Sequence, residues 1–251
     1  KELFSKCKEP GSKLILYQAP TGTGKTMSPI GLVKGGHRII FVCAAKHVGL
    51  QLAKACISME IKIAVAFGCK DAGNIRLHYF AAKETIRNRK TGGIFRVDNE
   101  VGDNVEIMIS DIQSYLPAMN YMRAFNKLNE LILYWDEPTI TLDYNEHEYH
   151  SVLSRNWNEN EIPNVVLSSA TLPQQEELIE MIGSFQAKFG CTNVNSIVSH
   201  DCSKTIPILD PDGYVVLPHL IYNDHKKIKK CVRHIKKYKT LLRHFDINEV
   251  C

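Results

Sequence analysis

The chain lacks several things, and each absence narrows the reading. No run of eighteen or more apolar residues occurs, so no membrane-spanning helix is written into the sequence. None of the eight cysteines pair in a C-x-x-C spacing, which removes the common zinc and cluster patterns. No internal repeat or low-complexity tract is present. The opening "KELFSKCKEP" has neither an initiating Met nor a signal-peptide pattern, so a fragment of a longer chain is expected. A large charge imbalance is also missing. Net charge is +4, with 23% charged and 44% hydrophobic residues, an ordinary globular composition. Cysteines such as Cys43 in "IIFVCAA" read as small buried thiols, which fits a reducing intracellular compartment, cytoplasm or nucleus.

What is present is a rhythm. The 251 residues suffice for one large α/β domain, or for one with an extension. Apolar runs "KLILYQ", "HRIIFVCAA", "IKIAVAF", "VEIMIS", "LILYWD" and "NVVLSSA" alternate with helix-like segments through residue 200. Continuous apolar runs, rather than apolar–polar alternation, predict strands buried on both faces. Strand–helix alternation then predicts a mostly parallel sheet sandwiched by helices. Residues 68–104 break the rhythm with charged, turn-rich sequence, and small local elements or an insertion are expected there. Residues 201–251 end in "DHKKIKKCVRHIKKYKTLLRHF", whose apolar positions recur at helical spacing. This predicts a basic C-terminal helical extension, either lying along phosphates or simply solvated.

The sharpest local signal is "APTGTGKT", Ala19–Thr26, between a predicted strand and a predicted helix. It matches the phosphate-binding loop G-x-x-x-x-G-K-[ST], with Ala19 in place of the first Gly. Backbone N–H groups along Thr21, Gly22, Thr23, Gly24 and Lys25 would curl around a phosphate, and glycines permit the close approach. Lys25 would reach the β- and γ-phosphates of ATP, and the Thr26 hydroxyl would hold Mg²⁺. About 110 residues downstream, "LILYWDEPTITLD" ends an apolar run in adjacent acids. Asp136 suits the Mg²⁺ shell. Glu137 suits the orientation of an attacking water.

Two motor families carry such acids. "DEPT" followed by Leu142-Asp143 resembles the ATP-binding cassette of transporters. That family also expects a signature near L-S-G-G-Q before the acidic strand, where this chain has "SYLPAMNYMRAFNKLNEL". It expects a His at the end of the next strand, which here reads "LSSATLP". "A-x-T-G-x-G-K-T", "DEPT" and Ser169-Ala170-Thr171, in that order, instead resemble motifs I, II and III of superfamily 2 DExx-type helicases. The match at Leu142-Asp143 is then coincidence. The resemblance implies a first RecA-like motor domain over residues 1–200, using ATP and Mg²⁺. It also implies a DNA or RNA partner, no membrane, and a second RecA-like domain beyond Cys251. Residues 201–251 would be the link to that domain. A non-enzymatic nucleotide-binding scaffold is the reading from another class.

The resemblance implies that Ser169, Ala170 and Thr171 couple the nucleotide site to nucleic acid. Thr171-Leu172-Pro173-Gln174 also reads as a helix N-terminus with Thr171 as the cap, and both readings can hold together. "CAAKHVGLQLA" stands where motif Ia would fall, with Lys46 and Gln51 as candidate phosphate contacts. The usual Pro-Thr is replaced there by Ala44-Ala45. "MISDIQSYL" stands at motif Ib/Ic, with Ser110 and Gln113 as candidates. Ordinary helix starts explain these two stretches equally well. No "Q-x-x-G-R-x-G-R" pattern, which would supply transition-state arginines, occurs in the chain.

Overall fold

The apolar runs form the strands of one sheet because each is flanked by helices that bury both of its faces. The computed structural model describes residues 1–20, 22–87, 90–141, 144–191 and 193–199, with short pieces between 204 and 242. In chain order the principal elements begin with α1 (Glu2–Lys8), β1 (Lys13–Gln18), α2 (Ser28–Lys34), β2 (Arg38–Cys43), α3 (Lys46–Ser58) and β3 (Ile63–Ala66). They continue with β4 (Arg76–Leu77), β5 (Thr85–Arg87), β6 (Ile94–Val97), β7 (Ile107–Asp111) and α4 (Tyr115–Phe125). The series closes with β8 (Leu131–Asp136), α5 (Glu148–Glu159), β9 (Asn164–Ser169), α6 (Ile179–Phe189) and β10 (Asn193–Val198).

The main sheet has eight strands in the order β10-β1-β9-β8-β2-β7-β3-β4. Every pairing is parallel except β3 with β4. Alternate residues of each strand enter opposite cores. Leu14, Leu16, Ile40, Val42, Leu133, Trp135, Val165 and Leu167 pack with Tyr115, Met119, Ile182 and Phe185. Ile15, Ile39, Phe41, Ile132, Tyr134 and Val166 pack with Leu3, Ile30, Leu32, Leu52 and Cys56. The result is an α/β fold with a mixed, mostly parallel sheet flanked by helices. All five cysteines described, Cys7, Cys43, Cys56, Cys69 and Cys191, are free and buried. Among the described residues no helix is long and apolar enough to cross a membrane.

Within residues 68–104 the chain makes a 3₁₀ turn (Ala72–Asn74), edge strand β4 and a separate two-stranded hairpin, β5–β6. Asn99 ties this segment down: its side chain accepts from Leu77 N, and its carbonyl accepts from Tyr121 Oη. Residues Lys1–Ala19 and Gly24–Ser199 form one compact unit, and Pro20–Thr23 group with His200–Cys251 in another. That second unit contains short parallel (Lys204–Thr205 with Leu241–Leu242) and antiparallel (Ile208–Leu209 with Val215–Leu217) pairings. The basic C-terminal helix expected from sequence falls largely outside the described residues. His225, Lys226, Lys229 and Arg233 are helical, and all four are exposed.

Lys13 and Asn164, buried at the starting ends of β1 and β9, are paired with each other and with backbone. Asn164 Nδ2 donates to Asn129 O and Leu131 O, each at 3.1 Å, while its Oδ1 accepts from Lys13 Nζ at 3.2 Å. This set stitches β1, β8 and β9 together where parallel strands begin. Asn164→Ala leaves two carbonyls and a buried ammonium without partners. The expected loss is about 2–3 kcal/mol of stability, read as a lower denaturant midpoint.

Candidate nucleotide site

The finishing ends of three adjacent strands carry the site. In the ladder Gln18 on β1 pairs with Ser169 on β9, and Ser168 pairs with Asp136 on β8. The three strands therefore end level, and the loops leaving them meet. This is the edge where ligands bind in open α/β sheets.

After β1 the chain turns through Gly22 (φ 82°) and Gly24 (φ 89°), left-handed positions that favour glycine. Thr23 is braced locally, its N and Oγ1 both donating to Pro20 O. Thr21 lies outside the described residues. Lys25–Met27 form a 3₁₀ turn that runs into α2. Lys25 is buried, at 6% exposure, and its Nζ donates to Ala19 O at 2.5 Å. Its ammonium also stands 3.7 Å from Glu137 Oε1. From beneath, Tyr134 Oη donates to Lys25 O at 2.8 Å, pinning the turn to the acidic strand.

Asp136 ends β8 at 5% exposure. Its Oδ2 accepts from Thr26 Oγ1 at 3.2 Å, while its Oδ1 is buried without a hydrogen-bond partner. Burial raises its pKa to about 6, and the Glu137 charge adds to the rise. Thr26, Lys25 and Ser168 pull it part of the way back, but no hydrogen bond reaches Oδ1. A desolvated, half-partnered carboxylate is where a cation gains most. Among the described residues no three His, Cys, Asp or Glu side chains gather as a protein-only metal cage. The donor set of one carboxylate and one hydroxyl fits Mg²⁺, which favours few protein oxygens together with phosphate oxygens and water.

Glu137 departs from strand geometry altogether. Its φ is 52°, left-handed for a residue with a Cβ, a conformation costing on the order of 1 kcal/mol or more. The backbone N still donates to Ser168 O at 2.7 Å, so the turn happens at the last ladder bond. This twist sends the two neighbouring acids to different places. Glu137 Oε2 accepts from Ser169 Oγ at 2.5 Å, while Oε1 faces Lys25. Ser169 Oγ also accepts from Thr171 N at 3.2 Å and lies 3.3 Å from Thr139 Oγ1. Its single proton goes to Glu137, so Thr139 is the donor of the second contact. Gln18 Nε2 donates to Ala170 O.

Lys25, Thr26, Asp136, Glu137 and Ser169 thus come together, with Ala170 and Thr171 adjoining. Thr171 is not a helix cap. Gln174 is: its side chain accepts at the third residue of the 3₁₀ turn, and Glu177 Oε2 reciprocates at Gln174 N. Pro173 and the Thr171 N–H, already bonded to Ser169, displace the start of the helix by three residues. The nucleic-acid candidates stand apart, on α3, on β7 and on the 3₁₀ turn after β7. Lys46 opens α3, is largely exposed, and pairs with Asp111 at 3.7 Å. Gln51 is exposed on the same helix. Gln113 is exposed beside a cavity of about 380 Å³ that Lys70 and Arg155 also line. Ser110 is fully buried with its hydroxyl donating to Asp111 O, so it presents no surface to a phosphate. Asp143 and Leu142 lie outside the described residues. Tyr134 and Gln18 carry no motif, and Thr139 stands at a variable place of the "DEPT" stretch. Tyr134 alone had a sequence signal, a polar tip two residues before Asp136 on the same strand face.

No protein-family model and no curated protein matches the chain. Solved structures similar to it include a hypothetical ATP-dependent RNA helicase from Sulfolobus tokodaii, at 13% identity and a TM-score of 0.45 over 82% of this chain. The Hef helicase domain from Pyrococcus furiosus is similar at 15% identity and a TM-score of 0.44 over 83%. The chain spans 53% and 41% of those two structures' lengths.

The raised Asp136 pKa has a definite sign. The folded form holds its proton more tightly than the unfolded chain, whose carboxyl titrates near ~3.9. The stability this contributes is full below about pH 4 and is lost as pH rises through 6. Without metal, Asp136→Asn should therefore be more stable than the parent at pH 8, by on the order of 2 kcal/mol. The gap should close toward about pH 4. Denaturation curves at both pH values check this, and a pH-independent difference contradicts it.

Proposed function

We propose that the chain is the nucleotide-binding motor domain of an ATP-driven helicase or translocase acting on DNA or RNA. One observation carries the reading: Lys25, Thr26, Asp136, Glu137 and Ser169 converge where β1, β8 and β9 end level. An unpartnered buried carboxylate oxygen and a strained glutamate are costly in a merely structural site.

In this reading the loop Thr21–Thr26 cradles the phosphates of ATP with its backbone N–H groups. Lys25 exchanges Ala19 O and Glu137 for β- and γ-phosphate oxygens. Thr26 and Asp136 would hold Mg²⁺, which when bound would neutralise charge building on the phosphate oxygens. Glu137 orients the attacking water and accepts its proton. Ser169 fixes one Glu137 oxygen, leaving the other to face the substrate. Thr171 and Ala170 connect that hydroxyl to the loop after β9, the path by which nucleotide state would reach nucleic acid. Lys46, Gln51 and Gln113 are the proposed phosphate contacts on the nucleic acid. Ser110 is not retained, because of its burial. Residues 1–200 carry the nucleotide chemistry, and 201–251 lead to a second RecA-like domain that supplies arginines to the transferring phosphoryl group.

Lys25→Ala should abolish turnover. Glu137→Gln should leave ATP affinity within a few-fold while turnover falls by about a hundred-fold or more. Equilibrium binding of a fluorescent nucleotide and steady-state phosphate release separate the two effects. Retained turnover in Glu137→Gln would sink the assigned role. The chain alone should bind ATP but hydrolyse it weakly, with little response to single-stranded DNA or RNA. Robust stimulated hydrolysis by residues 1–251 argues against the need for a second domain.

A further inference from the structure

The cavity of about 380 Å³ beside Gln113 belongs to β3 and β7, which β9, β8 and β2 separate from β1 in the sheet. Its walls come from the loop after β3, the turn after β7, α4 and α5. Buried polar side chains join these walls. Asp111 Oδ2 accepts from Gly68 N and Oδ1 accepts from Ser114 N, each at 2.9 Å. Ser114 Oγ accepts from Cys69 N at 2.8 Å, and Asn156 Nδ2 donates to Ile112 O at 2.7 Å. Asp111, Ser114 and Asn156 are all buried. Satisfied polar networks of this kind fix a geometry, so the space between the walls is preformed.

The accessible polar groups of the lining are donors. Lys70 and Gln113 are exposed, and the Arg155 side chain is 66% exposed. Arg155 Nε donates to Glu159 Oε1 at 3.0 Å, which orients the guanidinium and leaves its terminal nitrogens for a ligand. Lys46 Nζ stands 3.9 Å from the place a Cβ on Gly68 would take, so a further cation adjoins the wall. Among the described residues no carboxylate lines the cavity. Neighbouring acids are already engaged: Asp111 by two amides and Lys46, Glu159 by Arg155, and Asp71 by Asn74 Nδ2. Leu116, Pro117 and Val152 supply apolar surface. The volume lies at the small end of ligand pockets, roughly 300–1,000 Å³, with room for one nucleotide and not for a run of them. We propose that the cavity binds a single phosphorylated nucleoside, its phosphate between Lys70 and Arg155 and its sugar and base against Leu116, Pro117 and Val152.

Two sources carry that chemistry: the phosphorylated end of a nucleic-acid strand and a free nucleoside monophosphate. An internal nucleotide must unstack from both neighbours to enter, whereas a terminal one is free on one side. A phosphomonoester carries a charge of about −1.5 to −2 at neutral pH, more than an internal diester, and gains more from two cations. Capture of a strand end rests on the proposed action on DNA or RNA. The pocket for a phosphorylated nucleoside does not rest on it.

The test compares oligothymidylate bearing a 5′- or a 3′-terminal phosphate with the same strand ending in hydroxyls, bound by residues 1–251 at one fixed ionic strength. One phosphorylated strand should bind about tenfold tighter than the hydroxyl strand. That advantage should fall to within about twofold in Lys70→Gln and in Arg155→Gln, with melting temperatures unchanged. Lys34→Gln, an exposed cation at the last residue of α2, should leave it intact and so controls for general charge. Direct titration of thymidine monophosphate into Lys25→Ala, where the phosphate loop is disabled, separates the two sources. Binding about as tight as that of the phosphorylated strand assigns the pocket to the mononucleotide, and binding weaker by about a hundredfold or more assigns it to the strand end. Equal affinity for phosphorylated and hydroxyl strands with no binding of thymidine monophosphate overturns the pocket. So does an advantage that survives both substitutions. Thymidine monophosphate binding that is lost in Arg155→Gln, with no strand bound at all, contradicts the action on nucleic acid and leaves the pocket standing.

Discussion

The parallel pairing of β9 between β1 and β8 is the constraint on which the site depends. Neighbouring strands lie about 4.8 Å apart, so the ends of β1 and β8 are held about 10 Å apart across one strand, a gap that Lys25 and Thr26 close to reach the acidic pair. The register pairs Gln18 with Ser169 and Asp136 with Ser168. A slip of one residue in β9 would turn Ser169 to the opposite face and break its bond to Glu137. Continuous burial on both faces makes that slip expensive, because every residue of β8 and β9 is buried. The hydrophobic cores thus fix a polar geometry to which they add the Tyr134 hydroxyl.

The two ends of the same strands treat buried polarity in opposite ways. At the starting end Asn164 satisfies every group it touches, and Lys13 is paired. At the finishing end Asp136 Oδ1 is unpartnered, Glu137 is left-handed, and Lys25 is buried. Proteins tolerate such costs where the surroundings over-determine them. Here Tyr134 holds the Lys25 carbonyl, and Ser168 O holds the Glu137 amide. The strained residues are therefore locked by backbone contacts, while their side chains are free to exchange partners.

The strands and the loop "APTGTGKT" were legible because each rests on a local signal: burial on both faces, or glycines ahead of a Lys-Thr pair. Lys25, Thr26, Asp136, Glu137 and Ser169 were legible as residues, through spacing and order along the chain. Their connections were not. The positive φ of Glu137 depends on the ladder bond to Ser168, which no local pattern encodes. Tyr134 belongs by periodicity to a core, and only the three-dimensional position of Lys25 O gives its hydroxyl a task. Thr171 looked like a cap because Thr, Pro and Gln obey cap rules, but its amide was already taken by Ser169. Ser110 had the right chemistry on a strand whose residues are all buried. Strand β5 has three residues, all exposed, too few to leave a periodic trace.

Ser169 shows how little is needed to connect a distant event to this site. A hydroxyl has one proton and two lone pairs, and all three are engaged, by Glu137, Thr171 N and Thr139 Oγ1. No spare capacity absorbs a displacement. A movement of the loop after β9 carries the Thr171 amide with it, so Ser169 must either move too or lose an acceptor contact. If it rotates with the loop, its proton leaves Glu137, and the carboxylate is then held by Lys25 alone at 3.7 Å. Because hydrogen bonds weaken steeply with angle, such a rotation reorients the carboxylate without any change in the sheet. The rigidity of the strands and the saturation of one hydroxyl are complementary: the first keeps the loops in register, and the second makes their small relative motions count at Glu137.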